Sequence, residues 1–465
     1  MLLRSPPVCV PLRGARTRCG AGALSDAGTQ RLLDWARANQ LKHAQLQPAT
    51  FQLGLRGLSA SRNIAAGDAV ATVPHKAVLE VTSRAVSPPT GLADQAAYLA
   101  SPWWARLALL LLREKAQAGE SRWAAYVQCL PAALPVPLRW TDAQISALGA
   151  PALASRIAQQ RGELEAAHAR LQASGEGTLA GGVSLAEFTW AVECVRSRTF
   201  SGPYEGSDAT ERQQQLAFIL ALTAVFVVTG AGPAENALSG ALSALCFVVL
   251  KDLVTQALPS APRRYVLCPV VDLCNHRSKA VSELAYEYFQ NSFSLLTGDF
   301  QAGEQVFVSY GALSNDELLQ YYGFVEADNP HDLLALDAAS QLTKTALSAA
   351  GVSAAMLECK DGADAVRALQ NGIQISPTGA VTPPEAAVAL RTLAGGTDQG
   401  MASLTAGFVK AAWPPSQLEA AQRAVVDESA RAARLREADE PRMLALQYRA
   451  AKHGTAAQAL RALSA

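Results

Sequence analysis

The spacing of apolar and polar positions divides the chain into helical and strand-like stretches. Residues 27–45, containing "QRLLDWARANQ", carry apolar positions at helical spacing and predict a helix. From Leu53 to Ser83, "LGLRGLSASRNIAAGDAVATVPHKAVLEVTS" breaks into short β-branched runs with a turn signal at Ala66-Gly67-Asp68. That pattern predicts compact β structure. From about residue 91 the period turns helical, as in "WWARLALLLLREKAQAGESRWAAYVQCLP", and it stays helical over 141–200 through "SLAEFTWAVECVRSRTF". Strand-like sequence returns over 265–325. From about residue 330 the chain is helical, Ala-rich and Arg-dotted, punctuated at Pro377, Pro383-Pro384 and Pro414-Pro415, and it reads as a separate helical domain.

Residues 206–262 have the character of an insert. No charge falls between Leu216 and Ala234, "LAFILALTAVFVVTGAGPA", so a membrane span has to be weighed. The apolar core runs only from Leu216 to Val228, broken by Thr223, with Gly230, Gly232 and Pro233 close behind. A second apolar stretch, "ALSGALSALCFVVLKDLV", can pair with it. The expectation is therefore a soluble helical hairpin, with membrane attachment through 216–250 as the rival reading.

Polar chemistry gathers at "CPVVDLCNHRSKA", where an apolar run meets Asp272, Asn275 and His276. Buried polar groups are costly unless paired, so these must sit at a strand's mouth or do something. A metal site would want more ligands close by. A nucleophile pair of Cys274 and His276 is conceivable, since positions two apart on a strand share a face. A satisfied polar corner is the plain alternative. Downstream, "AGEQVFVSYGALSNDELLQYYGFV" brings a strand to Ser309-Tyr310-Gly311, then a turn and a helix capped by Ser314 or Asn315. Tyr310, Tyr321 and Tyr322 fall in that segment, and each offers a hydroxyl and an apolar ring that can wall a channel.

Composition narrows the class. Lys+Arg and Asp+Glu both number 40, and half the residues are hydrophobic, as in a globular chain. The first 24 residues hold Arg4, Arg13, Arg16 and Arg18 and no acid, which matches an organelle transit peptide. Setting these four arginines aside leaves the rest acidic by four charges, so nothing favours a nucleic-acid partner. The eight cysteines are scattered without a CxxC pair and suggest neither a zinc site nor a disulfide scaffold.

Four stretches together, "RGLSASRNIAAGDAVATVP", "RSRTF", "DLCNH" and "VSYGALSNDELLQYYGF", resemble the SET-domain protein methyltransferases of the Rubisco large-subunit lysine methyltransferase branch. The 91–200 helical segment is similar to the insert that splits the SET domain there, and "RMLALQYRAAKHGTAAQALRAL" is similar to the end of its substrate-binding domain. The resemblance implies an α+β fold: a SET domain over 45–325 of small β-sheets with a threaded C-terminal segment, split by the helical insert, with 206–262 as an extra hydrophobic insert. An all-α substrate-binding domain over 330–465 would follow.

It further implies S-adenosyl-L-methionine as cofactor, no metal, and a monomer acting on a lysine-bearing protein in the chloroplast stroma, with the mitochondrion as second choice. No membrane partner is expected. The cofactor would lie against Gly54, Leu55, Arg56, Gly57 and Leu58, with Ser197, Arg198, Asp272, Asn275, His276, Tyr322 and Phe324 around it. Arg198 suits the cofactor's carboxylate. Tyr310 is the implied catalytic residue and Tyr286 the second channel tyrosine, with Tyr288 a close rival. Where the family has Ser after Asn-His this chain has Arg277. A histidine acceptor and a non-catalytic scaffold are the alternatives.

Overall fold

The computed structural model describes residues 27–43, 45–51, 55–84, 86–175, 178–202, 209–229, 233–257, 263–287, 290–336, 342–435 and 440–464. The expected transit segment, Gly54 and Tyr288 lie outside them.

Small sheets build the first half. Strands β1 (Leu46–Thr50) and β2 (Arg56–Ala60) form an antiparallel pair. β3 (Ala69–Pro74) pairs with β9 (Ser292–Thr297), which also pairs with β8 (Ser282–Glu287). β4 (Leu79–Thr82) and β5 (Thr199–Gly202) flank β6 (Arg264–Leu267). The last pair, β7 (Asn275–His276) with β10 (Phe307–Val308), is parallel and only two residues long. Strands far apart in sequence thus meet in threes and twos, and most burial comes from helices laid against them.

The helix expected over 27–45 stops at Ala38. Gln40 adopts φ +63° and the Leu41 amide bonds back to the Ala36 carbonyl, which ends the helix before β1. Helical structure fills 91–200 as expected, chiefly in Trp103–Ala116, Pro151–Gln172 and Leu185–Arg198. The last of these closes inside the "RSRTF" motif, so that Thr199 and Phe200 are already strand. A β-branched residue followed by an aromatic one favours that switch.

Two apolar clusters result. One lies under the small sheets and holds Leu107, Leu111, Phe188 and Phe293. The other lies in the C-terminal half, with Leu390, Val409 and Tyr448, and it draws in Trp140, Leu153 and Ile157 from the helical insert together with Leu319 and Val325. The C-terminal region is helical, as expected. It also carries three short strands, β11 (Leu334–Leu336), β12 (Ile373–Ile375) and β13 (Val381–Thr382), where alternation as in Ile-Gln-Ile overrides the helical surroundings.

The 206–262 insert forms two helices, Ala209–Val228 and Ala234–Ala257, packed on each other as the expected hairpin. Their outer sides are not covered. Phe218, Leu220, Leu238 and Phe247 are each exposed by more than half.

Candidate active site

The polar corner forms where the chain leaves β6. Val270 takes φ +74° and ψ −51°, a conformation a β-branched residue adopts only under constraint. The strained turn leads into a single 3₁₀ turn, Val271–Leu273, and then into β7. Asp272 is thereby buried under the corner. Its carboxylate accepts from the Tyr126 hydroxyl at 2.6 Å and lies 3.6 Å from Arg198, whose Nη1 also donates to the Asp272 carbonyl at 3.0 Å. Burial pushes the Asp272 carboxyl above its ordinary range, although Arg198 and Tyr126 pull against it. Asp272 acts as a brace that fixes Arg198 and the loop.

On β7, successive side chains point to opposite faces. Asn275 Nδ2 donates to the Arg56 carbonyl at 2.9 Å, tying β7 to the glycine-containing strand β2. A Cβ at Gly57 would stand 2.6 Å from that same Nδ2, so only glycine lets the two strands approach so closely. The Arg56 guanidinium donates to the Thr29 hydroxyl, and Leu58 is core. The carbonyl of Leu55 closes the β1–β2 turn onto the Phe51 amide.

His276 faces the other way, its side chain fully buried. The Tyr310 amide donates to Nδ1 at 3.0 Å. Nδ1 is therefore an acceptor and the ring proton sits on Nε2, 3.1 Å from the Ser278 hydroxyl and 3.6 Å from Glu326. Ser278 in turn bonds Glu326 through both its amide and its hydroxyl. Burial would raise the Glu326 carboxyl, but hydrogen bonds from His276 and Ser278 outweigh it and hold it below the ordinary range.

Tyr310 completes the knot. Its hydroxyl donates to the Cys274 carbonyl at 2.8 Å, while its ring lies 4.9 Å from His276 and stacks on Tyr322 at 4.8 Å. Phe324 stands 5.8 Å from His276 and edge-on to Tyr322. Burial pushes the Tyr310 phenol above its ordinary range and Tyr322 up to about 12, so both remain neutral hydroxyls. Burial likewise pushes the Cys274 thiol up to about 12, which removes it as a nucleophile.

Tyr322 owes its position to local geometry. Ser314 caps the helix reciprocally with Glu317, and the turn Leu318–Tyr322 widens to π geometry before Gly323 ends it at φ +73°. A Cβ at Gly323 would meet Pro135 at 2.9 Å, so the helical insert and the tyrosine segment lock together there.

The structure thus gathers Gly57, Arg198, Asp272, Asn275, His276, Tyr310, Tyr322 and Phe324 around one corner. Ser197 adjoins it, but its hydroxyl bonds back to the Glu193 carbonyl of its own helix. Tyr286 lies on β8, with its hydroxyl on Asn291 at 2.6 Å and its ring beside His75 and Phe293. Arg277 lies across the Phe307 ring at 3.9 Å, with Nε and Nη2 unpartnered. Sequence reading missed Tyr126, Ser278 and Glu326. Glu326 adjoins "YYGFV", but nothing local marks it as the carboxylate behind His276.

No protein-family profile matches the chain. It is 24% identical over 312 residues to human SET domain-containing protein 4, covering 64% of this chain and 59% of that protein. The actin-histidine N-methyltransferase of Drosophila melanogaster is 26% identical over 327 residues, covering 66% and 51%. The chloroplastic [fructose-bisphosphate aldolase]-lysine N-methyltransferase of Arabidopsis thaliana is 24% identical over 300 residues, covering 61% and 48%. The chain spans about half the length of these curated relatives. Among solved structures, Rubisco LSMT bound to sinefungin and monomethyllysine superposes with a TM-score of 0.55 at 19% identity, covering 94% of this chain and 92% of that one. Rubisco LSMT bound to AdoMet gives 0.54 at 18%, covering 94% and 92%. The resemblance read in the four motifs is borne out, and the fold is the SET-domain fold of those structures.

Proposed function

We propose that this SET-fold chain is an S-adenosylmethionine-dependent protein methyltransferase, with a lysine side chain as acceptor. The observation that carries the reading is the Tyr310 knot, a neutral buried hydroxyl anchored on the Cys274 carbonyl and packed between His276 and Tyr322. The residues present suit the cofactor. Arg198 has a buried Nε without a partner, fit for a carboxylate, and Gly57 lets β2 close up against Asn275 of β7.

The cofactor supplies a methyl group on a sulfonium, ready for in-line displacement. The chain's part is alignment. Arg198, steadied by Asp272, would hold the carboxylate end. Asn275 fixes β2, the strand that carries Gly57. Tyr310 and the Cys274 carbonyl would offer oxygen atoms for CH···O contacts to the methyl group. In-line displacement needs a neutral acceptor amine that can pass its proton to solvent afterwards. Burial of the acceptor lysine favours its neutral form.

An organellar site of action, chloroplast stroma first, is part of the proposal. It is supported by the basic, acid-free leader and by the chloroplastic aldolase-lysine relative. The actin-histidine relatives favour histidine as second reading for the acceptor. The test is labelled-methyl transfer to organelle extract followed by peptide mapping. Tyr310→Phe should lower turnover by roughly a hundredfold or more while leaving cofactor binding within a few-fold. Undiminished turnover would remove Tyr310 from the mechanism, and absence of transfer to any protein would favour a scaffold.

A further inference from the structure

The hairpin of Ala209–Val228 and Ala234–Ala257 takes no part in the site described above. Its surface is unusual in being apolar on more than one side. Phe218, Leu220 and Val228 are 66%, 68% and 85% exposed, and across the turn Leu238 and Phe247 are 73% and 68% exposed. At about 100° per residue, Leu216, Leu220 and Val227 point one way, Phe218, Leu222 and Val225 point the opposite way, and Val228 lies between. In the first helix from Leu216 to Val228, only Ile219, Thr223 and Phe226 are partly covered, as one stripe, and Ala241 and Ala244 are partly covered on the second helix packed against it.

A protein partner, or a second copy, would cover one face and leave a polar rim. Two opposed apolar flanks fit a surrounding apolar solvent better than a single partner face. Two threonines of the first helix agree. Thr223 donates its hydroxyl to the Ile219 carbonyl at 2.7 Å and Thr229 to the Val225 carbonyl at 2.8 Å, so neither asks anything of water. Charges bracket the apolar stretches in sequence, at Arg212, at Glu235 by the turn, and at Lys251. The two strands that flank the insert, β5 and β6, are antiparallel neighbours in one sheet, so both ends of the hairpin are held on the same side of the SET body. Among the described residues, no helix is long and apolar enough to cross a membrane.

We propose that this hairpin lies in the acyl region of one leaflet of a lipid bilayer, anchoring the SET body to a membrane surface without crossing it. This replaces the expectation of a soluble hairpin. It stands apart from the methyltransferase reading. Thickness agrees, since the helix from Leu216 to Val228 is about 20 Å long, short of the ~30 Å hydrocarbon core.

The test is synthesis of the full chain with neutral phosphatidylcholine vesicles, then flotation after a high-salt wash. Wild type should float. The triple replacement Phe218→Asp, Leu220→Asp, Phe247→Asp should lower the floating fraction by roughly tenfold or more, with the thermal unfolding of the body unchanged. A second readout needs no variant. Cys246 and Cys359 are both exposed, so vesicles should shield Cys246 from a water-soluble maleimide and leave Cys359 reactive. Three results would overturn the proposal: wild type that stays in solution with Cys246 still reactive, a triple variant that floats equally well, or a wild-type dimer that the triple variant dissolves.

Discussion

His276 shows how a single residue is fixed by groups that no local pattern connects. One ring nitrogen accepts from the Tyr310 amide and the other faces Ser278 and Glu326. Because Glu326 is held below the ordinary carboxylate range, its contribution is present above its unfolded pKa and is lost as pH falls through the lower folded value. Cofactor affinity measured by calorimetry should therefore hold through the ordinary Glu range and weaken only on acidification below about pH 4, and Glu326→Gln should flatten that limb. Gly57→Ala tests the neighbouring contact. Its Cβ would sit 2.6 Å from Asn275 Nδ2, so either the Asn275–Arg56 bond or the strand spacing must give. Cofactor affinity should drop by roughly tenfold, about one hydrogen bond's worth, with the fold intact by circular dichroism.

At the scale of elements, the motifs fall on short, irregular pieces rather than on regular ones. The segment "VVDLCNH" is a strained turn, a 3₁₀ turn and two residues of strand, and "ELLQYYGF" passes through a π turn. Gly323→Ala should cost about 2 kcal/mol in denaturant unfolding, through its left-handed φ and the Pro135 contact, and should raise the KM for cofactor by displacing Tyr322. The sequence made these elements legible where chemistry is local: the Ser314 cap, the Gly67 turn, the helices of the insert. It was silent where distant segments meet. Tyr126 reaches Asp272 across 146 positions, and a tyrosine on an apolar helix face looks like core until the fold supplies its partner. Exposure of the hairpin was hidden for the opposite reason, since an apolar run reads the same whether a protein interior or lipid receives it.

Across the whole molecule, the two apolar clusters are joined by a buried polar lock. The Asn315 side chain exchanges hydrogen bonds with the Glu326 backbone at 2.9 Å in both directions, and the Asn315 backbone N–H donates to Asp332 at 2.9 Å. Lys452, almost fully enclosed, stands 2.7 Å from both Asp332 and Asp316, and Tyr448 donates to Asp316 at 2.7 Å. Burial opposes charge on both sides, yet Lys452 and Arg156 hold the Asp316 carboxyl low and the two aspartates hold the Lys452 ammonium high. The Asp316 contribution is lost as pH falls through its lowered pKa, and the Lys452 contribution is lost as pH rises through its raised one, so the lock is tightest between. Lys452→Met leaves buried Asp332 without its ammonium partner and Asp316 with Arg156 alone, and should destabilise by about 3–5 kcal/mol in chemical denaturation.

That lock also sets a sequence of events. His276 and Glu326 leave the ribosome well before Lys452, by roughly ten to thirty seconds at ordinary elongation rates. During that interval Asp332 lacks its ammonium partner and Asp316 has only Arg156, so the turn that carries Tyr322 lacks its final brace. The nascent chain therefore carries every residue of the corner without a finished pocket, and the proposed methyl transfer should begin only once the helix bearing Lys452 has docked.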